Sequence, residues 1–142
     1  MKNIKEIIKK EGDFFEWTYF AKNGLEVDCY IRRNNSLAFC GYVVITFDNK
    51  LYALEYDNIS SKIDFYPHGG LTYSNQDKNG NWIIGFDCAH AGDLCPAFPH
   101  FDGIYRTKDF VISECEKLAE EVSKFSGIIK RLQNIESVIG RD

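Results

Sequence analysis

Asn23-Gly24 stands between two runs of residues with a two-residue period, Trp17 to Phe20 and Val27 to Arg33. An Asn-Gly pair between such runs is a strong hairpin signal, because both residues accept the backbone conformations a tight strand reversal requires. In the second run Val27, Cys29 and Ile31 point one way, and Asp28, Tyr30 and Arg32 the other. The chain is thereby committed to an antiparallel sheet. Before it, Ile4, Ile7 and Ile8 recur at helical spacing among lysines and glutamates, and Gly12 ends that short helix.

After the hairpin, Asn34-Asn35-Ser36 marks a turn, and Leu37 to Phe47 is apolar enough for a central strand. Asp48-Asn49-Lys50 turns again; Leu51 to Ser61 reads as a loop with a helical turn, and Ile63 to Tyr66 as a short strand before Pro67. Leu71 to Ser74 and Trp82 to Asp87 are expected strands around Asn79-Gly80. Residues 92–103, holding Pro96 and Pro99, are irregular. Thr107 is a suitable N-cap for a helix with Val111, Cys115, Leu118, Val122 and Phe125 on one face. Gly127 interrupts it, and Ile128, Leu132, Ile135 and Ile139 define a last helix. The fold class expected is α+β, an antiparallel β-sheet with a short N-terminal helix and two C-terminal helices packed on it. Residues 1–142 make one domain, long enough for a core without disulfides.

A formal net charge of −4 argues against a nucleic-acid partner, since phosphate binding needs a basic face. The basic runs are short: Lys9-Lys10, Arg32-Arg33 and Lys130-Arg131. No apolar run approaches a membrane span, so no membrane partner is expected. Cysteines 29, 40, 88, 95 and 115 are odd in number, and Met1 to Lys10 lacks the apolar stretch of a secretory leader. Reduced thiols and a cytoplasmic location are the expectation.

Chemistry concentrates in two blocks, His68-Gly69-Gly70-Leu71-Thr72-Tyr73 and Gly85-Phe86-Asp87-Cys88-Ala89-His90-Ala91-Gly92-Asp93. An antiparallel hairpin between them would make them one site. Carboxylates at Asp87 and Asp93 beside His68 and His90 could tune a general acid–base pair for a phosphodiester or glycosidic linkage. The competing reading is that the aspartates cap turns and the histidines bond the backbone. Cys88, His90, Cys95 and His100, or His68, Asp87, His90 and Asp93, are the metal-ligand types at hand. Neither spacing matches a standard zinc site, so neither a metal nor a cofactor is expected. Cys88 at an apolar strand end reads as packing rather than as a nucleophile. Gly69, Gly70 and Thr72 can present N–H groups and a hydroxyl to an anion, or form a tight turn. Tyr42, Tyr73, Trp82, Phe86, Phe98, Phe101 and Tyr105, with Arg106, could stack on a base and neutralise a phosphate; most must also serve the core.

The two blocks, with Cys40-Gly41-Tyr42-Val43-Val44 before them and Tyr105-Arg106 and the helix from Phe110 after them, resemble small proteins of tailed phages and prophages. Those proteins carry an HGGLTYS-type and a GFDCAHAGD-type block, and the resemblance covers roughly the last two-thirds of the chain. Their pattern often has a His-Pro pair after the Gly-Tyr strand; here the stretch is Asp48-Asn49-Lys50-Leu51, so no role of that histidine transfers. The resemblance implies a phage- or prophage-encoded protein acting in the bacterial host cell and assigns no chemistry. By analogy with small phage counter-defence factors, the expected activity is sequestration of a nucleotide-derived small molecule, such as an immune signal. His68, Gly69, Gly70, Thr72, Asp87, His90 and Asp93 would make the polar contacts; Tyr73, Phe86 or Phe101 would stack, and Arg106 would neutralise charge. The alternatives are a hydrolase or phosphodiesterase using His68 and His90 with Asp87 or Asp93, and a protein-binding inhibitor of a host factor. The apolar faces of the amphipathic C-terminal helices are open to two readings, the interface of a homo-oligomer or intramolecular core.

Overall fold

A computed structural model describes residues 3–126. In chain order the elements are α1 (Ile4–Glu11), β1 (Phe14–Phe20), β2 (Glu26–Arg33), β3 (Phe39–Ile45), α2 (Tyr56–Ser60), β4 (Tyr73–Gln76), β5 (Trp82–Asp87) and α3 (Lys108–Ser123), followed by a 3-10 turn over Lys124–Ser126. The strands form one antiparallel sheet in the order β1-β2-β3-β5-β4. Local chemistry accounts for the ends of the helices. Asn3 accepts the Lys5 N–H at 2.9 Å to start α1, and Thr107 Oγ1 accepts the Phe110 N–H at 3.2 Å to start α3.

The α+β class is as expected. The second C-terminal helix, expected over 128–139, lies outside the described residues. α3 packs across β2 and β3, burying Val111, Cys115, Leu118, Ala119 and Val122 against Cys29, Ile31, Phe39, Val43, Ile84 and Phe86. Of the two readings left open for the first of these helices, its apolar face is core. Burying each large side chain contributes about 1.5–3 kcal/mol. At the centre, a Cβ on Gly41 would lie 2.5 Å from the Phe86 ring and 2.6 Å from Cys115 Sγ, so only glycine lets α3 approach the sheet there.

The strand expected over Ile63 to Tyr66 does not form. Ile63 is buried in the core, but side chains of α3 take the neighbouring backbone groups: Glu121 accepts from Asp64 N–H at 2.7 Å and Glu114 from His68 N–H at 3.0 Å. With those donors satisfied, the segment needs no strand partner. The strand expected from Leu71 starts at Tyr73, because Leu71 turns into the core instead. Asn49, in the turn after β3, is buried. Its side-chain amide donates to Val122 O at 3.0 Å and Ser126 Oγ at 2.9 Å, fastening the end of α3.

Candidate functional site

The β4–β5 hairpin carries the two polar blocks to the same end of the sheet. There Asp93, with a side chain 1% exposed, is the centre of a network. It accepts from His68 Nε2 at 2.8 Å, from Arg106 Nε at 2.9 Å and from the His90 N–H at 3.0 Å. Burial by itself would raise this carboxyl's pKa; the donors from Arg106, His68 and His90 outweigh it and hold the pKa below the ordinary value. An ionised carboxylate only accepts, so Nε2 of His68 carries the proton, and in the neutral ring Nδ1 is the free acceptor. Arg106 reaches Asp93 because Leu94 N–H donates to Ile104 O at 2.9 Å and Ile104 N–H to Gly92 O at 2.8 Å, folding the 94–106 loop back on itself. Phe110 of α3 supports both partners, edge-on to His68 at 5.5 Å and under the Arg106 guanidinium at 5.4 Å.

Asp87, at the end of β5, is the second centre. Thr72 Oγ1 and Ala89 N–H donate to it, each at 3.0 Å. His90 Nε2 lies 3.2 Å from Asp87 Oδ1, yet off the angle of a hydrogen bond, and this buried nitrogen has no hydrogen-bond partner. The His90 ring rests against Gly69, whose φ of +70° and missing Cβ both matter, since a Cβ would overlap the imidazole. The rings of His68 and His90 are 6.1 Å apart. Sequence spacing thus named His68, Gly69, Thr72, Asp87, His90, Asp93 and Arg106, and the fold brings these seven together.

The face of the sheet opposite α3 carries an aromatic row that the sequence reading did not assemble. Register places Tyr30 beside Tyr42, Tyr42 beside Gly85, and Gly85 beside Tyr73. Tyr30 stacks on Tyr42 with centroids 4.7 Å apart, and Tyr73 meets Tyr42 edge-on at 5.6 Å. Gly85 makes this possible, because a Cβ there would lie 2.6 Å from the Tyr42 ring. The Arg32 guanidinium stands 5.6 Å from the centre of Tyr42, and burial pushes the Tyr42 hydroxyl up to about 12, so it remains a donor at neutral pH. The signal was present: Tyr30 occupies an outward position of an alternating strand, where polar residues are the norm. Beyond Tyr30, an open hollow of about 410 Å³ is bordered by Glu16, Asp28, Val44 and the Asp77–Asn81 turn.

The remaining expected contacts are placed differently from one another. Phe86 is 1% exposed and belongs to the core face of β5, so it has no surface to offer a ligand. Phe101 lies in the irregular loop, 64% exposed and packed on His100 at 4.4 Å. The Gly70 N–H donates to Pro67 O at 2.7 Å, so the turn itself takes the donor expected to meet an anion. Tyr73, by contrast, is 42% exposed. Burial pushes the Cys88 thiol well up, as expected of a packed cysteine. Among the described residues no three His, Cys, Asp or Glu side chains converge as a metal set. No helix among them is long and apolar enough to cross a membrane. No family model, curated protein or solved structure matches the chain.

Proposed function

We propose that the protein binds and sequesters a nucleotide-derived small molecule on the open sheet face, where the aromatic row meets the two polar blocks. The observation that carries this reading is the position of Asp87. It ends the strand that holds Gly85 beneath Tyr42, and it ties Thr72 of one block to the second block. Exposed aromatic rings beside hydrogen-bonding side chains suit a flat heterocycle with polar substituents. Charge sets the direction. Glu16, Asp28 and Asp77 crowd the hollow end and repel phosphate, whereas the Arg32 guanidinium stands over Tyr42. The base would therefore lie over Tyr42 and Tyr73, its amino groups toward the carboxylates, with phosphate toward Arg32. The sequence resemblance supports a phage origin, and a counter-defence role acting on a host immune signal rests on analogy with other small phage proteins.

Sequestration is preferred because the groups a reaction would use are engaged elsewhere: Asp93 is saturated by three donors, and Cys88 is buried. Turnover has one specific observation in its favour, the 6.1 Å separation of two imidazoles that each lie against a carboxylate. The test is to incubate the purified protein with cyclic dinucleotides and cyclic ADP-ribose species, measure thermal shift, then denature and recover the ligand. Stabilisation with intact ligand recovered is expected. Chemically altered ligand would replace sequestration by hydrolysis. No shift with any nucleotide would remove the proposal and favour a protein partner.

A further inference from the structure

The two edges of the sheet are finished differently. β4 is four residues long, and the neighbouring 52–56 segment bonds its side chains: Tyr56 N–H donates to Ser74 Oγ at 3.1 Å and Gln76 Nε2 to Tyr52 Oη at 3.0 Å. β1 has none of this protection. Its seven residues, Phe-Phe-Glu-Trp-Thr-Tyr-Phe, contain no proline or lysine and a single charge, and they pair with β2 one-to-one without a bulge. Exposed edges are ordinarily blunted by such devices, since they present unpaired N–H and C=O groups to any passing strand. Phe14 at 52% and Phe20 at 70% exposure flank this one.

The direction of the free groups follows from the ladder. Arg33 N–H donates to Asp13 O, and Ala21 N–H donates to Leu25 O, so odd-numbered residues of β1 bond to β2. Alternation then turns the N–H and C=O of Phe14, Glu16, Thr18 and Phe20 outward. Among the described residues nothing bonds them. We propose that this edge pairs with β1 of a second copy, antiparallel about a two-fold axis at Trp17, to give one continuous sheet across the dimer.

The sequence of β1 is self-complementary in that register. Phe14 meets Phe20 of the second copy, Glu16 meets Thr18, and Trp17 meets Trp17, so all seven residues pair. The outward-facing residues coincide, each pair exchanging two N–H···O bonds. On the open face the exposed Phe14 and Phe20 cover each other. On the α3 face Phe15 packs on Tyr19. The one carboxylate lies opposite a hydroxyl; shifting the register to set Glu16 against Glu16 would place like charges together. An isologous two-fold contact requires a patch that fits itself, and this strand does. The open faces of both copies join, leaving each aromatic row free.

Sedimentation of the full chain over a dilution series tests the arrangement. A dimer that dissociates on dilution is expected. Thr18→Pro removes an outward N–H without breaking a backbone bond to β2, a position where an edge strand tolerates proline, and should give a folded monomer whose melting temperature falls only by what the lost Thr18 Oγ1 bond to Asp28 contributes. Thr18→Glu sets a second carboxylate against Glu16 at two symmetric places and should weaken the dimer about tenfold. Thr18→Lys should tighten it. A monomer at every concentration would overturn the proposal. So would a dimer whose dissociation constant is the same in T18E and T18K.

Discussion

Nε2 of His68 lies 2.8 Å from Oδ2 of Asp93, joining two polar blocks whose contact residues are separated by 25 positions in the chain. The bond locks the turn before β4 to the turn after β5. Because the carboxylate is buried and also holds Arg106, the two turns and the start of α3 behave as one unit.

Asp93→Ala should therefore cost about 3–5 kcal/mol in chemical denaturation at neutral pH, since it leaves His68 and Arg106 facing a cavity. The sign of the pH effect follows from the lowered pKa. A depressed folded value stabilises above the unfolded pKa of about 3.9 and loses that stabilisation as pH falls through the folded value. Denaturation midpoints should drop over this acid range in the native protein and drop less in Asp93→Asn.

Gly69→Ala and Gly80→Ala share the strain of a positive φ, +70° and +84°, but only Gly69 has the His90 ring in the way. Each should lose about 1 kcal/mol from backbone strain. Gly69→Ala should lose more, and the His90 imidazole resonances should move in NMR spectra of that variant alone.

Tyr73→Ala and Phe86→Ala separate ligand contact from core packing. The exposed Tyr73 should cost little stability, while nucleotide affinity falls about tenfold or more with the loss of one stacking ring. Phe86→Ala should lose about 3–5 kcal/mol of stability because it empties the contact between β5 and α3.

Native alkylation should label Cys95 first. It is half-buried, whereas Cys29, Cys40, Cys88 and Cys115 are buried. Burial also pushes the Cys29 thiol up to about 12, which suppresses its thiolate. Mass spectrometry after brief iodoacetamide treatment should find a single adduct, and five after denaturation.

Glu11→Ala should release α1. The Glu11 carboxylate accepts from Tyr105 Oη and from Lys108 N–H, and stands 3.5 Å from Arg33 Nη2, whose side chain is 3% exposed. Removing it leaves a buried guanidinium underpaired, so protease cleavage near residue 12 should accelerate and the melting temperature should fall.

Much of the sheet is legible in the sequence because its signals are local. Asn23-Gly24 and the alternation of Val27, Cys29 and Ile31 produce the β1–β2 hairpin as read, and Thr107 caps α3 as read. Ile63 to Tyr66 forms no strand: Ile63 N–H bonds Ile59 O, and Asp64 N–H bonds Glu121, 57 residues later on a helix face. Phe86 and Tyr73 are similar in type, and a two-residue period cannot say which face of a strand meets the core.

By itself, then, the sequence determined the β1–β2 hairpin, the Thr107 cap of α3 and which residue types collect in the two blocks, all consequences of interactions within a few residues. Tertiary structure alone decided that His68 and Arg106 share Asp93, that Phe86 turns inward, and that Tyr30, Tyr42 and Tyr73 form a row over Gly85. Those outcomes depend on the register of distant strands and the return of the 94–106 loop. Such contacts between positions far apart in the chain leave no mark in the local pattern.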